Sequence, residues 1–339
     1  MTAAKSFFLV GDVGATNARL AITTLRDAGA IEWIHEARLA DARLSSFDAA
    51  IDALFAASPV SRTAIGAACL GVAGPIHGRR VQFTNRAWSI DADALEARIP
   101  GASVALVNDL EAAARGIDAL HERDLAALQA RPAAPDGVRL VIGAGTGLGI
   151  AYAVWCGSRY RIIASEGGHA GFAPQNARQR WLFDALSAGN HRIEAEHIVC
   201  GAGLERIYAV LRAANPAGEL PELRSEIDRG DGHGPAAISR FALERNDRLA
   251  SDALDLFIDC YGSIAGDHAL AVLPTGGVYV VGGIAAKILP RLSAGGFVRA
   301  FTDKGAFAAL AGTFPIAAVT NEHLGLIGAT LIASEGAHA

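Results

Sequence analysis

One local pattern occurs twice in this chain and limits the folds that it can adopt. Near the N-terminus an apolar run, Phe7–Val10, leads into the turn GDVGATN (11–17), and a second apolar run follows at 18–25. The same order returns where Leu140–Ile142 leads into GAGTGLG (143–149) and further apolar residues follow. Apolar runs on both sides of a short turn predict β-hairpins. The sequence therefore predicts two separate parts of the chain, each of which begins with a strand, a Gly/Thr turn and a second strand.

The remaining pattern predicts an α/β protein of two domains. At 339 residues the chain is longer than one ordinary domain. Residues 177–273 are mostly helical in composition, apart from a polar, Gly-rich stretch at 215–234 that predicts a loop. We expect a smaller domain of residues 1–108, to which about 320–339 return, and a larger domain of residues 109–319.

Composition excludes several classes of protein. Hydrophobic residues make up 51% and charged residues 19%, so a large core can be buried, yet no uninterrupted apolar run reaches the ~20 residues of a membrane span. The N-terminus lacks the features of a signal peptide. A net charge of −5 without basic clusters argues against nucleic acid as a partner. Four cysteines without a CxxC pair indicate reduced thiols, so we expect a cytoplasmic protein.

The first turn is a candidate phosphate site. Glycines and a threonine in a tight turn can direct backbone N–H groups and a hydroxyl at phosphate oxygens. Asp12 is placed to hold Mg²⁺, because this cation prefers carboxylate and phosphate oxygens. The alternative is an ordinary hairpin turn, in which Asp and Gly are common. The candidate nucleotide-binding residues are Gly11, Asp12, Val13, Gly14, Ala15 and Thr16.

The second turn favours phosphate binding over the alternative. Its glycine spacing differs from GxGxxG and a strand rather than a helix is predicted after it, which disfavours a dinucleotide fold. It also lacks the GK[ST] ending of a P-loop. The candidate residues here are Gly143, Gly145, Thr146 and Gly147. Gly282 and Gly283, after a predicted strand, either allow close approach of adenine or ribose or form a helix-entry turn.

Two polar motifs are candidates for proton transfer and for binding of a sugar. Asp109, at a strand end that opens a helix, is suited to accept a proton from a hydroxyl that attacks phosphorus. A helix cap is the alternative for Asn108 and Asp109. In Glu166-Gly167-Gly168-His169, a carboxylate and an imidazole on a flexible loop suit sugar hydroxyls; a polar loop with an inward-facing histidine is the alternative. HExxH is absent and no cysteine is near, which disfavours zinc.

Taken together, the motifs resemble those of bacterial glucokinases, which belong to the hexokinase-like, actin-type ATPase superfamily. The resemblance extends in order from about residue 6 to 333, and it implies two RNase H-like domains with a cleft between them. The motifs that carry it are GDVGATN (11–17), VNDLEAAA (107–114), GAGTGLG (143–149), EGGHAGFAP (166–174) and VVGGIAAK (280–287).

The resemblance also implies an activity. It implies that ATP, with Mg²⁺, phosphorylates the 6-hydroxyl of glucose, the first step of glycolysis, and that the enzyme is a homodimer. By motif position Asp109 is the catalytic base. The positions that correspond to sugar ligands are Asn108, Glu166, His169 and Glu196.

Two departures from the family pattern bear on these expectations. Ala15 stands where many members have glycine, and it adds little bulk to the turn. Phe172-Ala173-Pro174 follows the EGGH motif, where the related repressor and kinase group has a cysteine-rich zinc motif. The alternatives are a kinase for mannose or fructose, a kinase that uses polyphosphate, or a non-catalytic sugar sensor. A sensor would be expected to carry a helix-turn-helix segment, which is not evident here.

Overall fold

The computed structural model of this chain contains two compact units, which are described separately below. One comprises the described residues up to His121 together with those from Asn321 onward, and the other is Glu122–Thr320. The structure describes residues 7–14, 17–26, 29–40, 46–83, 88–189, 192–230 and 232–336.

The first unit contains a five-stranded sheet in the order β3-β2-β1-β4-β8, and a small sheet of β5, β6 and β7. Strands β1, β2 and β3 form an antiparallel meander, and β4 and β8 continue the sheet in parallel with β1. Its elements before the chain leaves the unit are β1 (Phe7–Val13), β2 (Asn17–Leu25), β3 (Ile31–Ala40), α1 (Phe47–Ala57), β4 (Ile65–Val72), β5 (Ile76–His77), β6 (Arg80–Gln82), β7 (Ser89–Asp91), α2 (Ala92–Arg98), β8 (Ser103–Asn108) and α3 (Asp109–Gly116).

The second unit contains a six-stranded sheet in the order β12-β11-β10-β13-β14-β9 and most of the helices. Its elements are β9 (Leu125–Gln129), β10 (Arg139–Ala144), β11 (Leu148–Trp155), β12 (Tyr160–Ser165), α4 (Ala177–Ser187), α5 (Gly201–Ala214), α6 (Pro221–Asp228), α7 (Gly234–Glu244), α8 (Arg248–Val272), β13 (Gly277–Val281), α9 (Gly283–Lys287), α10 (Leu289–Leu292), α11 (Gly296–Thr302), α12 (Ala308–Ala311) and β14 (Ile316–Val319).

The two large sheets share one topology. In each, a three-stranded antiparallel meander is extended by two parallel strands, β4 and β8 in the first unit and β13 and β14 in the second. Each Gly/Thr turn joins the first two strands of its meander, as the hairpin pattern predicts. Strand β9 adds an antiparallel edge in the second unit alone. The repeat seen in the sequence therefore corresponds to a duplicated supersecondary unit.

The C-terminal helix α13 (Leu324–Gly336) belongs to the first unit and packs on α3. A Cβ atom at Gly328 would collide with the backbone of Ala112, and one at Gly116 with that of Leu324, so the two helices approach backbone to backbone. This contact places α3 in the first unit, whereas the predicted smaller domain ended at residue 108.

The core of the second unit fixes the end of β10. Helix α8 buries Tyr261 completely, and its ring packs edge-on against Phe297 with 5.4 Å between the centroids. The Tyr261 hydroxyl donates to the carbonyl of Ile142 and accepts from the N–H of Ala144, both at 3.2 Å. The strand that leads into the second Gly/Thr turn is therefore anchored to the central helix.

The prediction of a loop at 215–234 is wrong for the middle of this segment, which is helical. Helix α6 occupies Pro221–Asp228, and a short 3₁₀ turn precedes it. Pro221 stands at the first position of the helix, where its missing N–H costs nothing. Leu223 is fully buried and ties the segment to the core, while the polar residues form the exposed face. The segment 130–138, by contrast, contains neither helix nor strand.

Within the described ranges, none of the helices combines the length and the apolar character that crossing a bilayer requires.

Candidate active site

In the first unit, the sequence-predicted acidic residues lie together at one edge of the sheet. Strands β1, β4 and β8 are parallel, and their register pairs Val13 with Val72 and Val72 with Asn108. Their carboxyl ends therefore meet at the same edge, which brings Asp12 close to Asp109. A Cβ atom at Gly71 would lie 3.1 Å from the Cβ of Ala112, so the glycine allows α3 to pack close against β4.

Asn108 and Asp109 have different local roles. Asn108 is the N-cap of α3, and its Oδ1 accepts from the N–H of Leu110 at 2.9 Å. The backbone of Asn108 in turn hydrogen-bonds the carboxylate of Glu111, which opposes the burial that raises the pKa of Glu111. These reciprocal bonds form a capping box. Asn108 therefore caps the helix, as the alternative predicts, and the Asp109 carboxylate shares the same N–H donor of Leu110.

The surroundings of Asp109 make its carboxylate a stronger base than an ordinary aspartate. Burial, and then the neighbouring charge of Asp12, raise the pKa of Asp109 to about 6, against the hydrogen bond that it accepts from Leu110 N–H at 2.8 Å. Burial also raises the pKa of Asp12, and the nearby Arg19 opposes this. A carboxylate with a pKa near 6 is ionised at neutral pH and can still accept a proton effectively.

The donor set fits a magnesium ion. Asp12 is a largely desolvated carboxylate next to a second one, and Arg19 only partly offsets its charge. Mg²⁺ commonly binds through one or two carboxylates together with phosphate oxygens and water. Among the described residues, no cluster of three or more His, Cys, Asp or Glu side chains is arranged to hold a metal by itself.

Part of the first turn lies outside the described residues. Ala15 and Thr16 are among these, so the predicted roles of the Ala15 backbone and the Thr16 hydroxyl stay predictions. Gly11, Asp12 and Val13 belong to β1, and Gly14 follows directly after it.

In the second unit, the turn between β10 and β11 lies beside two other backbone segments. The N–H of Gly145 donates to the carbonyl of Gly147 at 2.8 Å, and the N–H of Gly201, the first residue of α5, donates to the carbonyl of Gly145 at 2.9 Å. Thr146 is exposed. Gly282 has a φ of 93°, and a Cβ atom there would lie 2.8 Å from the carbonyl oxygen of Ala144. The structure thus brings the Gly282-Gly283 pair and the turn together.

Glu196 connects this turn to the predicted sugar loop. Its Oε2 accepts from the N–H of Leu148 at 2.8 Å, and its own N–H donates to the carbonyl of Gly168 at 2.8 Å. A Cβ atom at Gly147 would collide with the Glu196 carboxylate. Glu196, whose role as a sugar ligand stays a prediction, therefore holds the backbone of both segments.

The loop Glu166–His169 presents its two polar side chains to solvent. Residues Gly167–His169 form one turn of 3₁₀ helix, and the Glu166 side chain is 91% exposed. His169 Nδ1 lies 2.9 Å from Glu194 Oε2, and its Nε2 lies 3.9 Å from Glu166 Oε2. The hydrogen bond with Glu194 is the main cause that raises the pKa of His169. His169 faces outward, so the alternative of an inward-facing histidine is wrong.

The sequence analysis missed Glu194. The signal available in the sequence was a second carboxylate two residues before Glu196. Glu194 forms an isolated β-bridge with Gly171, and the chain then turns, with the N–H of His197 donating to the carbonyl of Glu194 at 3.1 Å. Glu166, His169, Glu194 and Glu196 together present hydrogen-bonding groups suited to a polyhydroxylated ligand.

The fold and the site define the chain as a sugar kinase of the actin-like ATPase fold, as the sequence predicted. A crystal structure of a glucokinase from an Antarctic psychrotroph superposes with a TM-score of 0.82 at 28% identity, covering 97% of this chain and 99% of that one. A ROK family glucokinase from Streptomyces griseus, solved with glucose and AMPPNP, has a TM-score of 0.65 at 21% identity and covers 97% and 99% of the two chains. At that identity the second likeness concerns the fold alone.

Sequence comparison identifies the family. The family model described as Glucokinase matches residues 9–336. A glucokinase from Synechocystis sp. is 37% identical over 353 residues, which cover 97% of this chain and 98% of that protein. The chain belongs to the glucokinase family, and the resemblance seen in its motifs is confirmed.

Proposed function

We propose that this protein transfers the γ-phosphoryl group of ATP to the 6-hydroxyl of D-glucose, giving glucose 6-phosphate and ADP. Membership of the glucokinase family supports the reaction. The observation that carries the proposal is the buried Asp109, whose pKa of about 6 suits a general base at neutral pH.

Asp109 acts on the attacking hydroxyl. Its carboxylate accepts the proton of the glucose 6-hydroxyl as the sugar oxygen bonds to the γ-phosphorus, and the bond from this phosphorus to the bridging oxygen of ADP breaks. Little covalent chemistry is left to the protein in such transfers, so positioning and charge stabilisation dominate. The hydrogen bond from Leu110 N–H to Oδ1 fixes the orientation of the carboxylate.

The sugar ligands in this proposal are Asn108, Glu166, His169 and Glu196. Carboxylate oxygens accept from sugar hydroxyls, while the amide of Asn108 and the imidazole of His169 can donate. The Glu194 carboxylate holds His169 Nδ1, so the other ring nitrogen is available to the ligand.

The two Gly/Thr turns bind phosphate oxygens. Support comes from the glycines and threonine of each turn, which can direct backbone N–H groups and a hydroxyl at phosphate. In the first turn the residues are Gly11, Val13, Gly14, Ala15 and Thr16, and in the second they are Gly143, Gly145, Thr146 and Gly147. Gly282 and Gly283 allow the nucleoside to approach the backbone. Asp12 would hold Mg²⁺, which when bound neutralises charge on the phosphates.

We further propose a homodimer in the cytoplasm, with neither nucleic acid nor membrane as a partner. The dimer is supported by the family resemblance, the compartment by four cysteines without a CxxC pair, and the absence of nucleic acid by the lack of a basic cluster. Sedimentation velocity at micromolar concentration tests the dimer: we expect a species of twice the 35.0 kDa chain mass.

The experiment that tests the proposed function is a substrate panel. ADP formation is measured with glucose, mannose and fructose as acceptors, and ATP is then replaced by polyphosphate. We expect the highest kcat/KM with glucose and ATP. A higher value with another hexose, or turnover with polyphosphate equal to that with ATP, would identify one of the alternative kinases. Glucose binding without turnover would identify a sensor.

A further inference from the structure

A network of polar side chains contacts the backbone of the Glu166–His169 loop and takes no part in the chemistry described above. The Tyr152 hydroxyl, on β11, lies 2.8 Å from His268 Nδ1 on α8. Ser165, at the end of β12, lies beside the Tyr152 hydroxyl, where its hydroxyl opposes the burial that raises the pKa of Tyr152. The Ser165 hydroxyl also accepts from the N–H of Gly167 at 2.9 Å. These contacts connect the central helix of the second unit to the backbone of the loop.

The sheet register explains how Tyr152 and Ser165 meet. Ser165 pairs with Ile150 on the neighbouring strand, and Tyr152 lies two residues further along β11. Side chains two residues apart share a face of a strand, so Tyr152 and Ser165 form a diagonal pair within reach of a long side chain.

The hydrogen bonds of this network satisfy every donor when Nδ1 of His268 is the ring nitrogen without a proton. Burial lowers the pKa of His268, although Asp267 opposes this, and so favours the neutral imidazole. Nδ1 of neutral His268 accepts the proton of the Tyr152 hydroxyl. The Tyr152 oxygen then accepts from Ser165, and the Ser165 oxygen accepts from Gly167 N–H. Each hydroxyl uses its single proton once.

Gly167 also packs directly on this group. A Cβ atom at Gly167 would lie 2.9 Å from His268 Cε1 and 3.0 Å from Ser165 Oγ. The His268 ring therefore lies against the loop backbone, while the side chain of the preceding Glu166 is 91% exposed. Since Glu166 has little packing of its own, the backbone at Gly167 determines where its carboxylate lies.

We propose that Tyr152 and His268 are positioning residues for the sugar loop: together with Ser165 they fix the backbone of Gly167 so that Glu166 and His169 are held ready for glucose. Neither residue touches the reacting atoms. This inference rests on the proposed function, because it assigns the loop to glucose.

Tyr152→Phe is the first test, since it removes one oxygen atom and keeps the ring. We expect the KM for glucose to rise about 5- to 10-fold, as for the loss of one hydrogen bond in a network. The KM for ATP should stay within twofold of the wild-type value, and kcat should change less than the glucose KM. A merely structural role would change both KM values together with the thermal midpoint.

Two variants of His268 test whether a hydrogen-bond acceptor at this position is what the loop requires. His268→Asn keeps an acceptor near the position of Nδ1, whereas His268→Leu removes it. We expect the glucose KM of His268→Asn to lie closer to the wild-type value than that of His268→Leu. These variants also keep the proposal testable if Tyr152→Phe fails to fold.

Tyr160→Phe is the matched control. It makes the same chemical change in the same sheet, but the Tyr160 hydroxyl donates to the carbonyl of Pro135 at 2.7 Å in the 130–138 loop. We expect its glucose KM to be unchanged.

Wild-type protein without glucose turnover would overturn the proposed function. Active wild-type protein with an unchanged glucose KM in Tyr152→Phe and His268→Leu, or with equal rises in both KM values, would overturn the positioning role alone.

Discussion

The backbone N–H of Leu148 donates a 2.8 Å hydrogen bond to Oε2 of Glu196. The N–H of Glu196 in turn donates to the carbonyl of Gly168. One residue thus holds both the turn that we assign to phosphate and the loop that we assign to the sugar. Displacement of Glu196 should therefore affect the binding of both substrates.

Glu196→Ala should raise the KM for glucose and also the KM for ATP. The substitution removes a sugar ligand and leaves the N–H of Leu148 without its acceptor, a loss of about 1–3 kcal/mol. Glu196→Gln retains an oxygen that can accept from Leu148, so its KM for ATP should stay near the wild-type value while its KM for glucose rises. Steady-state kinetics with each substrate varied in turn measures this difference. An ATP KM that Glu196→Ala leaves unchanged would mean that the bond to Leu148 does not support the turn.

Gly168→Ala should weaken glucose binding strongly. A Cβ atom at Gly168 would collide with the carbonyl oxygen of Leu148, so the loop backbone must shift. Gly171→Ala is the control in the same segment, because a Cβ atom there meets nothing within 4 Å. Isothermal titration with glucose should show at least a tenfold higher Kd for Gly168→Ala, which corresponds to about 1.4 kcal/mol, and no change for Gly171→Ala. Equal effects of the two substitutions would contradict the close packing at Gly168.

The pKa of His169 should depend on Glu194. The hydrogen bond that His169 donates to the Glu194 carboxylate favours the protonated imidazole, so His169 should titrate above the usual pKa of 6.5. Glu194→Gln removes that charge and should lower the pKa of His169. A titration of the His169 ring signals by NMR measures the change, and Glu222→Gln, at an exposed position on α6, is the control. A pKa that does not respond to Glu194→Gln would show that the contact is absent in solution.

The activity should be lost in mild acid. A general base works in its ionised form, so protonation of Asp109 below its pKa of about 6 should lower kcat/KM for glucose about tenfold per pH unit. Above that pH, the same parameter should be constant until other groups titrate. The pH profile of kcat/KM at saturating ATP measures this. A profile that stays flat down to pH 4.5 would be incompatible with a base whose pKa is raised by burial and by Asp12.

The sequence predicted those parts of the fold that depend on local patterns. The hairpins around both Gly/Thr turns, and the strand ends that carry Asp12 and Asp109, follow from short apolar runs and turn residues. The assignment of Asp109 as base came from its position at the end of a strand, and its raised pKa depends on burial and then on Asp12, which lies far away in sequence.

What could not be predicted depends on long-range packing. Helix α3 belongs to the first unit because α13, more than 200 residues later, packs on it through Gly328. The sequence analysis missed helix α6 because Leu223 is the one buried residue among Pro221–Asp228 and the others form a polar face. The contact of Glu194 with His169 joins residues 25 positions apart, and it depends on a bridge and a turn at Glu194 that no local sequence pattern marks.

The central claim, that Asp109 is the base for glucose phosphorylation, is tested most directly by Asp109→Asn. The amide keeps the shape of the side chain but cannot accept the hydroxyl proton. We expect kcat to fall about 10²- to 10⁴-fold, while the Kd for glucose, measured by titration calorimetry, stays within about twofold; Asp136→Asn, in the exposed 130–138 loop, should leave both unchanged. A kcat of Asp109→Asn near the wild-type value would contradict the account.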